Sequence, residues 1–240
     1  MTASAVNDRL AQLAETWTLP PAAPAQLATI LDAVAAEPTS ITTVRAPAEA
    51  VDVHVADSLS LLTVDAVRRA ERIADLGAGG GFPGLVLAAA LPGATVSLVE
   101  SVGKKCDFLR RAAQAAGLRN VDVVNARAEA WREGAGSQDV VAARALAPLN
   151  VLVEYAAPLL VDDGTLVAMK ARRDPSEEAD GVAAAAELGL EPAQIVPVEP
   201  FSGSGDRHLH LYLKVRPTPP RYPRREGMAR KRPIQASSRG

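Results

Sequence analysis

Apolar residues in the first seventy positions recur at helical spacing. Leu10, Leu13 and Trp17 fall on one helix face, and Leu27, Ile30, Leu31 and Val34 repeat the pattern after Pro24. A third helix is predicted to begin near Asp57 or Ser58, either of which can cap it, and to carry Leu59, Leu61, Leu62 and Val67. From Arg72 the period changes. Short apolar runs at 73–77, 95–99, 121–124, 139–143, 165–170, 195–200 and 209–215 read as strands. Helical stretches at 83–90, 104–116, 147–160 and 176–188 separate them. Strands alternating with helices predict a mostly parallel, doubly wound α/β sheet of seven strands. The 201–206 loop is too short for a crossover helix, so the last strand is predicted antiparallel to the one before it. This divides the chain into a helical cap over 1–71, an α/β core over 72–215 and a tail over 216–240.

With 240 residues, 48% of them hydrophobic, the chain can build one large core without staples. It has one cysteine, Cys106, which excludes an internal disulfide. Its three histidines have no cysteine partners, so no metal site is expected. The opening MTASAVNDRLAQLAE carries acidic residues and no apolar block, unlike a secretory signal. The uncharged run 76–99 holds six glycines and two prolines, which suits turns and not a membrane span. A soluble, cytoplasmic protein is expected. Net charge is −2 but unevenly spread: 216–240 holds eight Lys/Arg against Glu226 alone, +7 on a body of −9. A basic arm on an acidic body predicts a polyanionic partner, most simply nucleic acid.

The chemistry centres on the stretch from Ile73 to Gly84. A buried strand runs into Gly77-Ala78-Gly79-Gly80-Gly81, and a helix starts near Pro83. Glycines let backbone approach a ligand, and ligands of such sheets bind at the carboxyl ends of the strands. Gly79, Gly81 and Gly84 also satisfy the dinucleotide pattern G-x-G-x-x-G, which by itself is weak. Asp75, at the strand end, would repel a pyrophosphate and attract a cationic sulfonium. Glu100 ends the second strand, where a carboxylate accepts ribose hydroxyls of either cofactor. Asp75 and the antiparallel last strand tip the balance from NAD to S-adenosylmethionine. Two other readings stay in view: an NAD-dependent oxidoreductase on the Gly79/Gly81/Gly84 turn, and a non-catalytic RNA-binding assembly protein.

D-L-G-A-G-G-G-F-P-G from Asp75, followed by V-E-S-V-G-K-K-C-D-F-L from Val99, resembles the small-subunit ribosomal RNA methyltransferase G family, also called glucose-inhibited division protein B. His54-Val55-Ala56-Asp57-Ser58-Leu59, Asn125-Ala126-Arg127-Ala128-Glu129, Ala143-Arg144-Ala145 and Met169-Lys170 are similar to its other blocks, as are R-Y-P-R-R-E-G from Arg221 and K-R-P from Lys231. The resemblance runs in order over roughly 50–235. It implies a Rossmann-like class I S-adenosylmethionine-dependent methyltransferase that modifies N7 of a guanine in 16S ribosomal RNA, at the position usually numbered 527. It implies that Gly77 and Phe82 line the cofactor, with Asp75 and Gly79 of the same turn beside them. It gives the ribose to Glu100, the adenine border to Ala128 and Glu129, and the cofactor site at the substrate entrance to Arg144, the one candidate for a catalytic role. Lys104, Arg127, Lys170 and Arg207 match basic positions that could grip RNA. The chain departs from the commoner pattern at Ala171, where a glycine often follows the lysine, and at Glu100, where aspartate is frequent. The implied partner is 16S RNA or the small ribosomal subunit, with no membrane and no obligate protein partner.

Residue chemistry agrees with that implication. Guanine N7 carries an in-plane lone pair and needs no base, so orientation does the work. A pyrimidine C5 methylase would need a cysteine nucleophile, whereas Cys106 falls within a helix and reads as core. An adenine amine methylase usually shows an Asn/Asp-Pro-Pro-aromatic turn where Arg144-Ala145-Leu146-Ala147-Pro148 stands. His54 therefore has no proton to move. His208 and His210 share one strand face and read as packing or RNA contacts. Lys104 and Lys105 open a helix against its dipole, which hints at an anionic partner. Aromatics are 3% of the chain, too few for base stacking to be the main grip.

Overall fold

The computed structural model describes residues 3–236. Helices α1 (Ala3–Trp17) and α2 (Ala23–Ala36) turn the predicted apolar spacings inward, burying Leu10, Leu13, Leu27, Ile30, Leu31 and Val34. A proline in the first turn of α2 leaves no helical hydrogen bond unmade. After an irregular stretch comes one unbroken helical run: α3 (Pro47–Ala50), a π-helical segment (Val51–Ala56), α4 (Asp57–Leu59) and a 3-10 turn (Ser60–Thr63). Helix α5 (Asp65–Arg69) follows extended Val64. The predicted helix start at Asp57 or Ser58 is therefore wrong. Asp57 has helical torsions, φ −58° and ψ −45°, and Ser58 Oγ donates back to the His54 carbonyl at 2.6 Å. The run begins ten residues earlier because Ala50, Val51 and Val55 also bury apolar surface. Val67 belongs to α5.

The strands are β1 (Arg72–Leu76), β2 (Thr95–Glu100), β3 (Val121–Asn125), β4 (Gln138–Arg144), β5 (Leu160–Lys170), β6 (Leu190–Val198) and β7 (Arg207–Lys214). They form one sheet in the order β3-β2-β1-β4-β5-β7-β6. Pairing is parallel from β3 to β5, and β7 runs antiparallel to both β5 and β6. The predicted antiparallel ending holds, with β7 inserted between its two partners. Two bounds differ from expectation. β5 starts at Leu160 and not at 165, so α8 (Leu149–Ala156) is shorter than predicted. The polar Asp162-Asp163-Gly164 run reads as a loop, but it lies within the strand, Asp163 at φ 62°, where the register with β4 shifts. β6 starts at Leu190 because it is an edge strand and tolerates Pro192 and Pro197.

Helices cover both faces. α1, α2, the helical run, α6 (Gly84–Ala90) and α7 (Gly103–Ala115) share one apolar cluster with a face of the sheet. On the other face, α8 and α9 (Pro175–Leu188) pack with Trp131 and Tyr212. The basic tail stays on the body. Arg224 grips the buried Glu154 carboxylate with Nε at 2.7 Å and with Nη2. Tyr222 and Ile234 pack on the second cluster, Ala229 of α10 (Met228–Lys231) is buried in it, and Asn150 Nδ2 donates to the Ile234 carbonyl at 2.6 Å.

Candidate active site

The glycine turn is drawn onto β2 by backbone bonds. Gly77 N and Ala78 N donate to the Val99 carbonyl at 2.8 and 3.2 Å. Gly79, at φ 53°, then donates its N–H to Glu100 Oε2 at 3.1 Å, while Val102 N reaches Oε1 at 2.8 Å. Glu100 is 6% exposed; Oε1 also takes Ser101 Oγ at 3.5 Å, and Oε2 keeps lone-pair capacity toward a further donor. A Cβ on Gly79 would make only ordinary contacts, with the Gly77 and Ile41 carbonyl oxygens at 3.6 and 3.9 Å, so it is the positive φ that calls for glycine here. Gly84 is glycine for another reason: a Cβ there would stand 2.1 Å from Leu98 Cδ2, so helix and strand could not pack as closely.

Asp75 lies beneath this turn, 1% exposed. Its Oδ2 accepts Gly84 N–H at 2.8 Å, and its Oδ1 is buried without a partner. Burial pushes the carboxyl up to about 7; the Gly84 N–H and the Arg144 charge oppose that push, and Glu100 adds to it. A turn that carries no side chain at Gly79 and Gly80, a carboxylate with spare acceptor capacity and an orphaned buried carboxylate oxygen fit a nucleoside cofactor that carries positive charge.

The other sequence-predicted cofactor residues are Phe82 of the turn itself, Ala128 and Glu129 after β3, and Arg144 at the end of β4. Ala128 and Glu129 form a 3-10 turn, but the Glu129 carboxylate accepts Gly227 N–H of the tail at 2.9 Å, which leaves the backbone as the part free to border a base. Phe82 is buried and stacks on the His54 ring, centroids 4.5 Å apart, with the Arg144 guanidinium 5.7 Å from its centroid. Arg144 ends β4 and crosses to the π-helical segment. Its Nη1 donates to the Val53 carbonyl and to Asp57 Oδ2, both at 3.0 Å, and its Nη2 meets His54 Nδ1 at 3.2 Å. His54 Nε2 faces the Val44 carbonyl at 3.0 Å, which assigns the ring proton to Nε2 and leaves Nδ1 to accept from Arg144. Burial, then the Arg144 charge, hold the imidazole pKa down, so the ring is neutral.

The His54–Asp57–Arg144 cluster lines a cavity of about 490 Å³ at the carboxyl ends of β4 and β5, with Thr42, Lys170 and Arg207 on its walls. Of the four predicted RNA grips, only Lys170 and Arg207 reach it. Lys170 is paired with Glu177 at 2.5 Å, and Arg207 Nε stands 3.8 Å from Asp57 Oδ1. Lys104 is exposed at the first turn of α7, and Arg127 is exposed and paired with Glu226 at 3.3 Å. Sequence reasoning missed Asp57 as a site residue; its spacing of three from His54, which puts both on one helix face, was the available signal. Cys106 is buried, its Sγ 3.2 Å from the Glu100 carbonyl, and burial raises its thiol pKa, as suits a core residue. Among the described residues no helix is long and apolar enough to cross a membrane.

Comparisons with known proteins agree with this geometry. Residues 26–209 match the family described as rRNA small subunit methyltransferase G. A Rubrobacter xylanophilus protein named ribosomal RNA small subunit methyltransferase G is 46% identical over 188 residues, covering 76% of this chain and 72% of that one. A Symbiobacterium thermophilum protein of the same name is 39% identical over 206 residues, covering 81% and 82%. Among solved structures, a variant of MtNAS in complex with S-adenosylmethionine aligns with TM-score 0.53 at 20% identity, over 80% of this chain and 72% of that one. The S-adenosylmethionine-dependent methyltransferase SibL aligns with TM-score 0.54 at 18% identity, over 66% and 55%. The sheet is that of class I S-adenosylmethionine-dependent methyltransferases, and neither the nicotinamide reading nor the non-catalytic one finds support.

Proposed function

The chain belongs to the rRNA small subunit methyltransferase G family, and from that premise we propose that it transfers the methyl group of S-adenosylmethionine to N7 of a guanine in 16S ribosomal RNA. The observation that carries the cofactor half is the glycine turn fastened to the Glu100 carboxylate through Gly79 N–H, with the buried Asp75 oxygen left without a partner beneath it. In this reading Glu100 holds the ribose hydroxyls, and Gly77, Gly79 and Phe82 line the cofactor. Asp75 presents its free oxygen to positive charge, and the backbone at Ala128 and Glu129 borders the adenine. The bound cofactor supplies an electrophilic methyl group.

The chain's own work is to orient and to exclude water. Guanine N7 has a lone pair ready, so no residue removes a proton. The neutral His54 and the Arg144 guanidinium brace the substrate entrance, each held by named partners. Arg207 and Lys170 at the cavity, with Lys104 and Arg127 outside it, supply positive charge to RNA. The same reading places the protein in the cytoplasm, on ribosomal RNA or the small subunit, without a membrane or an obligate protein partner. The test is transfer from labelled S-adenosylmethionine to small subunits lacking the modification and to naked 16S RNA. Label at one guanine, in a site that cleaves as N7-methylguanine does, is expected; no label in either RNA overturns the proposal.

A further inference from the structure

The 490 Å³ cavity contains polar groups that the protein leaves unmatched. Asp57 Oδ2 is committed to Arg144, but Oδ1 has only Arg207 Nε, 3.8 Å away and beyond hydrogen-bond reach. Arg207 Nε is itself buried without an acceptor. Both groups line the same cavity, and its wall of His54 and Arg144 touches Phe82 of the glycine turn. An acceptor on the cavity wall and a buried donor, side by side and too far apart to satisfy each other, form a doublet for a ligand that offers the complementary pair. An unpartnered buried donor such as Arg207 Nε is costly, and a ligand acceptor in the cavity relieves that cost.

Resting on the function proposed above, we infer that this cavity receives the target guanine and that Asp57 and Arg207 select it by its Watson–Crick edge. Guanine places an acceptor, O6, next to a donor, N1–H. O6 meets Arg207 Nε and N1–H meets Asp57 Oδ1. Adenine presents the reverse at the same two positions, an amino donor beside an acceptor nitrogen, and sets donor against donor and acceptor against acceptor. Cytosine fails in the same way. Uracil offers the matching doublet but no N7 to methylate. Reading O6 and N1–H also leaves N7, on the far side of O6, uncommitted. A base entering this cavity has been taken out of its stack, the state in which its Watson–Crick edge becomes readable. Arg207 is thereby moved from a phosphate grip to a base reader, and Asp57 from a support of Arg144 to a determinant of specificity as well.

The experiment compares 16S RNA carrying guanine with 16S RNA carrying 2-aminopurine at the methylated position. 2-Aminopurine keeps N7 but has neither O6 nor the N1 proton. Initial rates of labelled methyl transfer are measured for the wild type and for Asp57→Asn, which keeps an oxygen for Arg144. The wild type is expected to lose about 10–100-fold in kcat/KM from guanine to 2-aminopurine, as for a lost bidentate base contact. Asp57→Asn is expected to be slow on guanine yet nearly indifferent to the change of base, with its affinity for S-adenosylmethionine unchanged. Arg207→Ala, at a partly exposed position, should show the same indifference and covers the case in which Asp57→Asn does not fold. Wild-type enzyme that methylates both bases alike overturns the inference, and so do variants that keep the full preference. A wild type inactive on guanine RNA overturns instead the function on which it rests.

Discussion

Glu100 does two jobs with one carboxylate. It holds the turn through Gly79 and Val102, and in the proposed function it takes the ribose. Glu100→Ala should weaken S-adenosylmethionine binding by about 1.5–3 kcal/mol, roughly 10–150-fold in Kd. Calorimetry checks this, and an unchanged Kd removes Glu100 from the site. Asp75 gives a pH signature. In the unfolded chain its carboxyl titrates near 3.8, but in the fold only near 7. The native state therefore binds more protons between those values, and Asp75 makes the free protein less stable as pH rises through that window. A cation arriving beside Oδ1 favours the ionised form and expels the proton. Affinity for S-adenosylmethionine should thus tighten from pH 6 to 8, with proton release seen as a dependence of binding heat on buffer. Asp75→Asn should abolish that release; if the variant releases protons as before, another group is responsible. At this scale the sequence was informative where chemistry is local: Asp75, Gly79 and Glu100 are legible as a strand end, a turn and the next strand end. Asp57 was not, because an aspartate ahead of an apolar run also looks like a helix cap, and only the fold brings β4's Arg144 to it.

Helices and strands were legible wherever a residue's period matched its burial, and blurred wherever polar residues interrupted a regular element. The Asp162-Asp163-Gly164 stretch and Pro192 of β6 read as loop, yet both are strand at irregular or edge positions where such residues are tolerated. The helical run from Pro47 to Thr63 hid for a related reason: its π-helical segment shifts the apolar spacing away from a single period. That segment is tied to the sheet through Arg144, whose side chain is 19% exposed, and through Asp57, 6% exposed. Arg144→Ala would leave the largely buried Asp57 carboxylate with Arg207, 3.8 Å away, as its remaining cation. The expected cost is about 2–4 kcal/mol, discounted for the partial exposure, with loss of methyl transfer on top. Thermal melts and activity checked together decide it: full turnover in a destabilised variant would make Arg144 purely structural. The interface of α6 with β2 offers a second check. Gly84→Ala places a methyl 2.1 Å from Leu98 Cδ2 and 2.8 Å from Asp75 Oδ2, and should cost about 1–3 kcal/mol by overpacking. A melting temperature equal to the parent's would show that the contact yields freely.

For the molecule as a whole, charge counting suggested a basic arm reaching for RNA, but several of its cations are tied to the body. Arg224 pairs with Glu154, Arg221 with Glu187, and Arg230 caps the Leu146 carbonyl. Deleting 217–240 strips Glu154, 2% exposed, of its cation and uncovers the cluster beneath Tyr222 and Ala229. The truncated chain should lose about 3–5 kcal/mol from that pair alone, discounted where water reaches it. RNA affinity should also fall, with a shallower salt dependence, through Arg225 and Lys231, which stay exposed. Unchanged melting temperature together with an unchanged salt slope would make the tail a passive extension.

Strand order carries a consequence for how the chain is made. β6 is synthesised before β7, yet β7 must lie between β6 and β5. When β6 first leaves the ribosome it has no neighbour to join, because the seat beside β5 belongs to a strand not yet translated. Sheet growth by one strand at a time therefore stops at β5. The seat beside β5 is filled only once β7 has been made, and β6 joins the sheet through β7, its hairpin partner. During that interval the β5 edge stands open, and a second nascent copy offers the same hairpin to it.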